Sequence, residues 1–323
     1  MMSKKNITFA IPIYNVEKYL DSCLDSMALE SNYDDIEVLL INDGSPKNEE
    51  SICKSYTEKY PYMHYIKKEN GGYGSVINYA LSVANGKYFK MLDSDDLLQK
   101  ENINNYINFV RFCDTDIIVN DIEVFDDLSG NTIDYYCCPH FENKNISDIN
   151  LSGKHLFLHN FTIKTELIRD ILCPKKCLYT DAALLCYGFA RAKSISSLGY
   201  TLYKYRLGRM GQSASIEVVI KHTNDYLSVY NHICSNFINV DSSKMKTDFF
   251  LEIQNCVLYN YLKSLILGKG INSYKDIKNI IKKYKEFKKK NSIKSNSEGK
   301  AIKMLSVSCF NYIILLIKFR KDI

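Results

Sequence analysis

The chain has 323 residues, 46% of them hydrophobic and 24% charged, with a formal net charge of +5. That size and balance allow a full buried core and about two domains, and they exclude a disordered or fibrous chain. There are eleven cysteines but no basic, apolar, small-residue leader ahead of Ile7, so free thiols in a reducing cytoplasm are expected.

The first hundred residues alternate strand and helix. Ile7 to Ile13 is an apolar run closed by Pro12 and Asn15, and Val16 to Leu29 carries Tyr19, Leu20, Cys23, Leu24 and Met27 at helical spacing. Ile36 to Ile41 is the next strand, followed by a turn and a helix from Glu49 to Lys59. A short strand at Tyr65-Ile66 leads through a glycine loop into a helix over Ser75 to Ala84, and Lys87 to Leu92 is a further strand. This order predicts a mostly parallel, doubly wound sheet with right-handed crossovers, whose ligands lie at the carboxyl ends of the strands. Those ends read Tyr14-Asn15, Asn42-Asp43-Gly44-Ser45 and Asp93-Ser94-Asp95-Asp96.

The last of these places three carboxylates within four residues at the end of an apolar strand. Like charges that close repel, and free carboxylates at a strand end suit oxygen coordination of Mg²⁺ or Mn²⁺ carrying a diphosphate. A solvated turn that caps the next segment is the plainer alternative, since Asp is also an ordinary turn and N-cap residue.

Beyond Asn102 the pattern is less regular: a strand at Ile117 to Val119, a hairpin-like excursion over Ile122 to Tyr136, a helix over Thr180 to Ala190 and a strand over Tyr200 to Tyr205. After Ser215 long helical periodicity takes over, with helices over Val218 to Cys234 and Phe249 to Leu267, so the domains are expected at 1–214 and 215–323. Cys173 and Cys177 lack a second Cys/His pair at zinc spacing. A lysine run from Lys282 to Lys303 precedes the apolar segment Met304 to Ile317, which is short for a bilayer span. That segment is either a terminal helix packed on its own domain or an interfacial helix assisted by the lysines. The run lacks interleaved aromatics on a strand platform, so nucleic acid is not expected as a partner.

Ile11-Pro12-Ile13-Tyr14-Asn15, Ile41-Asn42-Asp43-Gly44-Ser45, Asn70-Gly71-Gly72 and Asp93-Ser94-Asp95-Asp96, in this order, resemble the nucleotide-binding half of family 2 glycosyltransferases, which adopt the α/β GT-A fold. The resemblance is strong over residues 7 to 98 and continues thinly through Tyr179-Thr180-Asp181 and Tyr205 to Ser213. It implies an inverting, metal-dependent enzyme of hexosyltransferase type. Such an enzyme moves a sugar from a nucleotide donor, typically a uridine diphosphate sugar, to a cell-surface glycan or a lipid-linked acceptor. It would work in the cytoplasm or at the inner face of the plasma membrane, with peripheral membrane contact through the C-terminal basic and apolar segments.

By the same resemblance Pro12, Tyr14, Asn15 and Asp43 hold the nucleoside, with Asn70, Gly71 and Gly72 beside them. The DxD element is Asp93, Ser94 and Asp95, with Asp95 the direct ligand of Mn²⁺ or Mg²⁺ and Asp93 nearer the ribose and the metal's water; Asp96 is left a capping role. An inverting transfer needs a carboxylate opposite the leaving group to take the acceptor's proton. Asp181, at the start of a helix, stands where the family places it, although a helix N-cap is an equally natural local role. Arg206, Arg209 and Gln212 lie in a glycine-bearing loop able to close over the donor, and His159 is either an acceptor-side residue or a satisfied structural histidine.

One departure is plain. Relatives follow the Asn-Gly-Gly loop with an Ala-Arg-Asn step, whereas this chain reads Gly74-Ser75-Val76-Ile77-Asn78, so Lys67, Lys68, Arg206 or Arg209 must support the diphosphate instead. Nucleotidyl transfer would need a glycine- and basic-rich signature near the amino terminus, which Ile7 to Asn15 lacks. The remaining alternative is a catalytically silent sugar-nucleotide-binding or scaffold protein.

Overall fold

The structure is a computed structural model and describes residues 5–31, 33–149, 157–236 and 244–290. It falls into two compact units. The first takes in Met1–Ile149, Gly153–Lys176 and Arg191–Arg209; the second takes in Asn150–Ser152, Cys177–Ala190 and Met210–Ile323. The division is thus interleaved rather than a single cut at 214/215. The segment 177–190 belongs with the helical unit because its contacts run there: the Cys177 thiol donates to the Asp225 carbonyl at 3.5 Å, and the Tyr187 hydroxyl to the His232 carbonyl at 3.1 Å.

The first unit is an α/β sheet flanked by helices. Its elements in order are β1 (Ile7–Ile13), α1 (Glu17–Ser26), β2 (Ile36–Asn42), α2 (Glu49–Lys59), β3 (Met63–Lys67), α3 (Tyr73–Val83), β4 (Tyr88–Met91), β5 (Leu97–Leu98) and α4 (Lys100–Phe112). There follow β6 (Ile117–Asp126), β7 (Thr132–Tyr136), β8 (Lys144–Asn145), β9 (Phe161–Lys164), α5 (Thr165–Ile168) and β10 (Ser194–Leu207), which comes after α6 (Asp181–Arg191) of the second unit. The strand order is β3-β2-β1-β4-β9-β6-β10-β5, with β7 on β6 and β8 on β10.

β1 pairs in parallel with β2 and β4, β2 with β3, and β6 with β10. β9 runs backwards between β4 and β6, and β5, β7 and β8 pair antiparallel with β10, β6 and β10. One edge of the sheet therefore collects the carboxyl ends of β1, β2, β4, β6 and β10 together with the amino end of β9. Both faces are covered: Phe9, Ile11, Leu20, Leu24, Val38 and Tyr106 pack in one layer, while α3, with Val76, Ile77, Ala80 and Leu81 buried, packs on β1 and β2. Such double burial is why these strands read as continuous apolar runs.

Two expectations change. β6 runs unbroken from Ile117 to Asp126 and forms a hairpin with β7, and β10 is far longer than Tyr200 to Tyr205. In the second unit α7 (Ile216–Lys221) and α8 (Thr223–Ser235) replace one expected helix, parted at His222, whose Nδ1 lies 2.9 Å from Asp225 Oδ2. α9 (Lys244–Lys269) and α10 (Tyr274–Lys290) follow, the latter burying Ile277, Ile280, Ile281 and Tyr284 and turning its lysines outward. No described helix is long and apolar enough to cross a membrane. The segment Met304 to Ile317 lies outside the described residues.

Candidate active site

At the carboxyl end of β2, Asp43 is 3% exposed and faces the loop that opens α3. Its two oxygens accept from the Gly71 N–H at 3.0 Å and the Gly72 N–H at 2.7 Å. Lys68 Nζ pairs with the same carboxylate and donates to Ser75 Oγ at 2.8 Å. Gly72 has φ of 77°, a backbone setting that a Cβ would strain, so the loop can turn there only with glycine. Of the two adjacent lysines only Lys68 faces this loop, because Lys67 reaches Glu50 at 2.8 Å.

At the end of β1, Tyr14 is 51% exposed and Asn15 sits at φ 56°, its N–H donating to Ser45 Oγ at 2.8 Å. The Ser94 hydroxyl donates to the Pro12 carbonyl at 2.6 Å, tying the β1 end to the acidic turn after β4.

The carboxylates of that turn have different partners. Asp93 Oδ1 accepts from the Tyr73 hydroxyl at 2.8 Å. Asp95 is held by the Arg209 side chain, and its carbonyl accepts from Arg206 Nε at 2.7 Å. Arg206 reaches Asp127 at 3.1 Å and lies over the rings of Tyr19 and Phe125. Asp96, 1% exposed, accepts from the Tyr203 hydroxyl and the Arg206 N–H, both at 2.7 Å. It therefore does not cap the next helix, whose N-cap position is Gln99. It latches the turn to β10 across the short β5/β10 pairing.

Burial, then the neighbouring Asp95 charge, pushes the Asp93 carboxyl well above the usual carboxylate range, against the Tyr73 hydrogen bond and Arg209. Burial and the charges of Asp95 and Asp93 push Asp96 up as well. A cluster so strained toward protonation is one that a divalent cation would relieve. Asp93, Asp96 and His159 each offer a ligand atom within 4.8 Å of the others, and Asp95 could join by exchanging Arg209 for the ion. The carboxylate oxygens fit Mg²⁺ or Mn²⁺.

His159 lies at the acidic turn, with Nε2 3.9 Å from Asp93 Oδ2. Its ring stacks on Tyr203 and Tyr205 at 4.8 and 5.5 Å between centroids. The cause is the reversed β9, whose amino end delivers residue 159 to the edge where β4 ends. Tyr73, Tyr203 and the buried Lys90 join the site without belonging to any of the four strand-end motifs. Lys90 did carry a signal, as a charge inside an otherwise apolar strand three residues before Asp93.

In the second unit Asp181 opens α6 and is half-buried, and Gln212 is 6% exposed. Two residues before Asp181, Tyr179 stands at φ 61° with its ring flat on Tyr226, 3.8 Å between centroids, and its hydroxyl on the Ser213 carbonyl at 2.9 Å.

Residues 8–172, just over half of the chain, match the sequence profile described as glycosyl transferase family 2. The chain belongs to that family. Among curated relatives, the minor teichoic acid biosynthesis protein GgaB of Bacillus subtilis is 32% identical over 65% of this chain but only 24% of its own length. Glycosyltransferase GlyG of Streptococcus pneumoniae is 26% identical over 84% of this chain and 87% of its own. Among solved structures, S. aureus TarS 1–349 in complex with UDP-GlcNAc has a TM-score of 0.56 at 17% identity, covering 88% of this chain and 89% of that one. The mannosyltransferase PcManGT of Pyrobaculum calidifontis, in complex with GDP-Man and Mn²⁺, has a TM-score of 0.53 at 12% identity, covering 90% and 84%. The family 2 glycosyltransferase carries the GT-A fold, with helices at its carboxyl side.

Proposed function

We propose that this glycosyltransferase is inverting and metal-dependent, and that it moves one sugar from a uridine diphosphate sugar to a cell-surface glycan or a lipid-linked acceptor on the cytoplasmic side of the membrane. The observation that carries the reading is the meeting of Asp43, Asp93 and Asp95 at one sheet edge, with Lys68 and Arg209 on two of them. The ligands bound in the TarS and PcManGT structures, UDP-GlcNAc and GDP-Man with Mn²⁺, support a nucleotide-sugar donor and a divalent ion. The part of GgaB in minor teichoic acid biosynthesis supports an envelope glycan as acceptor.

In this reading Tyr14, open at the end of β1, stacks on the base, and Asp43 anchors the nucleoside while it holds the Asn70-Gly71-Gly72 loop. Mg²⁺ or Mn²⁺, held by Asp95 and Asp93, would neutralise the diphosphate and stabilise it as a leaving group. Lys68, bonded to Ser75 at the start of α3, and Arg209, released from Asp95, face the phosphates in place of the arginine that relatives carry after this loop. Asp181 takes the proton from the acceptor hydroxyl as the anomeric carbon gains oxocarbenium character. Arg206 keeps the acidic turn in shape through the Asp95 carbonyl.

The test is a donor panel with Mn²⁺, read as nucleoside diphosphate release and product mass. Asp95→Ala should abolish Mn²⁺-dependent turnover while leaving the circular dichroism spectrum unchanged. Equal turnover by that variant would remove the metal role.

A further inference from the structure

Lys90 lies in the middle of β4 and is 1% exposed. An ammonium out of water is costly unless it is well hydrogen-bonded, and burial lowers its pKa to about 7. The oxygens it meets are all neutral. Nζ donates to Asn120 Oδ1 and to the His159 carbonyl, both at 2.8 Å, and to the Phe161 carbonyl at 3.4 Å. It also sits 5.8 Å from the centroid of the Tyr203 ring on which His159 stacks.

These bonds converge on one feature, the short turn at Leu158–Asn160 that carries His159 into β9. Asn120, on β6, grips the same turn from the other side: its carbonyl accepts from Asn160 Nδ2 at 2.8 Å, and Asn160 Oδ1 accepts from the Phe157 N–H at 2.9 Å. The turn is thus pinned between β4 and β6, and its one site-facing side chain is the imidazole beside Asp93. A methionine of similar length would fill the space but leave the Asn120, His159 and Phe161 oxygens unmet.

We infer that Lys90 is a positioning residue which, with Asn120, fixes the His159 imidazole against Asp93. On the function proposed above, Asp93 faces the donor diphosphate, so the same device sets how tightly the donor is held.

The test uses the full chain labelled with ¹⁵N-histidine, its His159 signals assigned by His159→Gln. Asp93→Asn is the probe of proximity. In the otherwise unaltered protein it should shift the His159 ring nitrogens by several line widths. In Lys90→Met the same substitution should move them by less than half as much, with the other five histidines unaffected. Asn120→Ser should act in the same direction with a smaller loss, and it carries the test should Lys90→Met not fold. An undiminished response in the variant that folds overturns the inference. Donor KM should rise about tenfold in Lys90→Met with kcat changed less than threefold. Failure of every donor to react would bring down the proposed function but leave the spectral result to decide the role of Lys90.

Discussion

Replacing Arg209 by alanine tests the electrostatics of the acidic turn without touching a carboxylate. The Arg209 and Asp95 side chains are 20% and 13% exposed, too buried for the pair to be treated as a solvated surface contact. A hydrogen bond between charged groups in such a place contributes about 1.5–3 kcal/mol, and its loss leaves Asp95 beside Asp93 without its guanidinium. With about 2–4 °C per kcal/mol for a unit of this size, differential scanning fluorimetry without metal should show a fall of roughly 3–12 °C. Mn²⁺ should then reverse more of that loss in Arg209→Ala than it adds to the unaltered protein, because the freed carboxylate is open to the ion. Binding at 100 times Kd contributes about 2.7 kcal/mol, enough to be read in the same instrument. A fall below about 1 °C together with equal Mn²⁺ shifts in both proteins would refute the idea that Arg209 and the cation compete for Asp95.

Three further outcomes follow from the geometry. Lys90 has its pKa lowered from the usual 10.5 to about 7, so between those values the unfolded chain holds a proton that the folded one has released. Stability should therefore climb with pH across that window, by up to about 1.4 kcal/mol per unit, and urea titrations of Lys90→Met should lack this part of the slope. Asp181→Asn should lower kcat by a factor of about 10²–10⁴ while calorimetry finds donor affinity within twofold; an unchanged kcat would move the base elsewhere. Gly74→Ala would put a Cβ 2.0 Å from the Pro174 carbonyl oxygen, a backbone atom that cannot swing aside. It should lower the urea midpoint by an amount equivalent to about 1–3 kcal/mol.

The parallel half of the sheet was legible because its strands are buried on both faces and end in turns. Ile7–Ile13, Ile36–Asn42 and Tyr88–Met91 each read as an apolar run followed by polar residues, and their polar ends meet at one edge. What escaped depends on long-range pairing. Phe161–Lys164 carries nothing local to say that it slips, reversed, between two strands distant in sequence, yet that pairing is what brings His159 to Asp93. Ser194–Leu207 hides its length because Gly199, at φ 73°, and register shifts between Ser197 and Tyr203 break the alternation. Asp96 looked like a cap because its partners, Tyr203 and Arg206, lie more than a hundred residues onward.

The Asp43 carboxylate is bound into the loop beside it through the Gly71 and Gly72 amides and Lys68. The side chain proposed to read the nucleoside is thus also the peg on which the phosphate-side loop hangs. In evolutionary terms the two traits are not separable. A substitution that altered base preference at this position would unmoor the loop in the same step, so new donor specificities in such a scaffold should arise around Tyr14 and the outer strands while Asp43 stays fixed. Amide exchange at Gly71 and Gly72 offers a direct gauge of that tether.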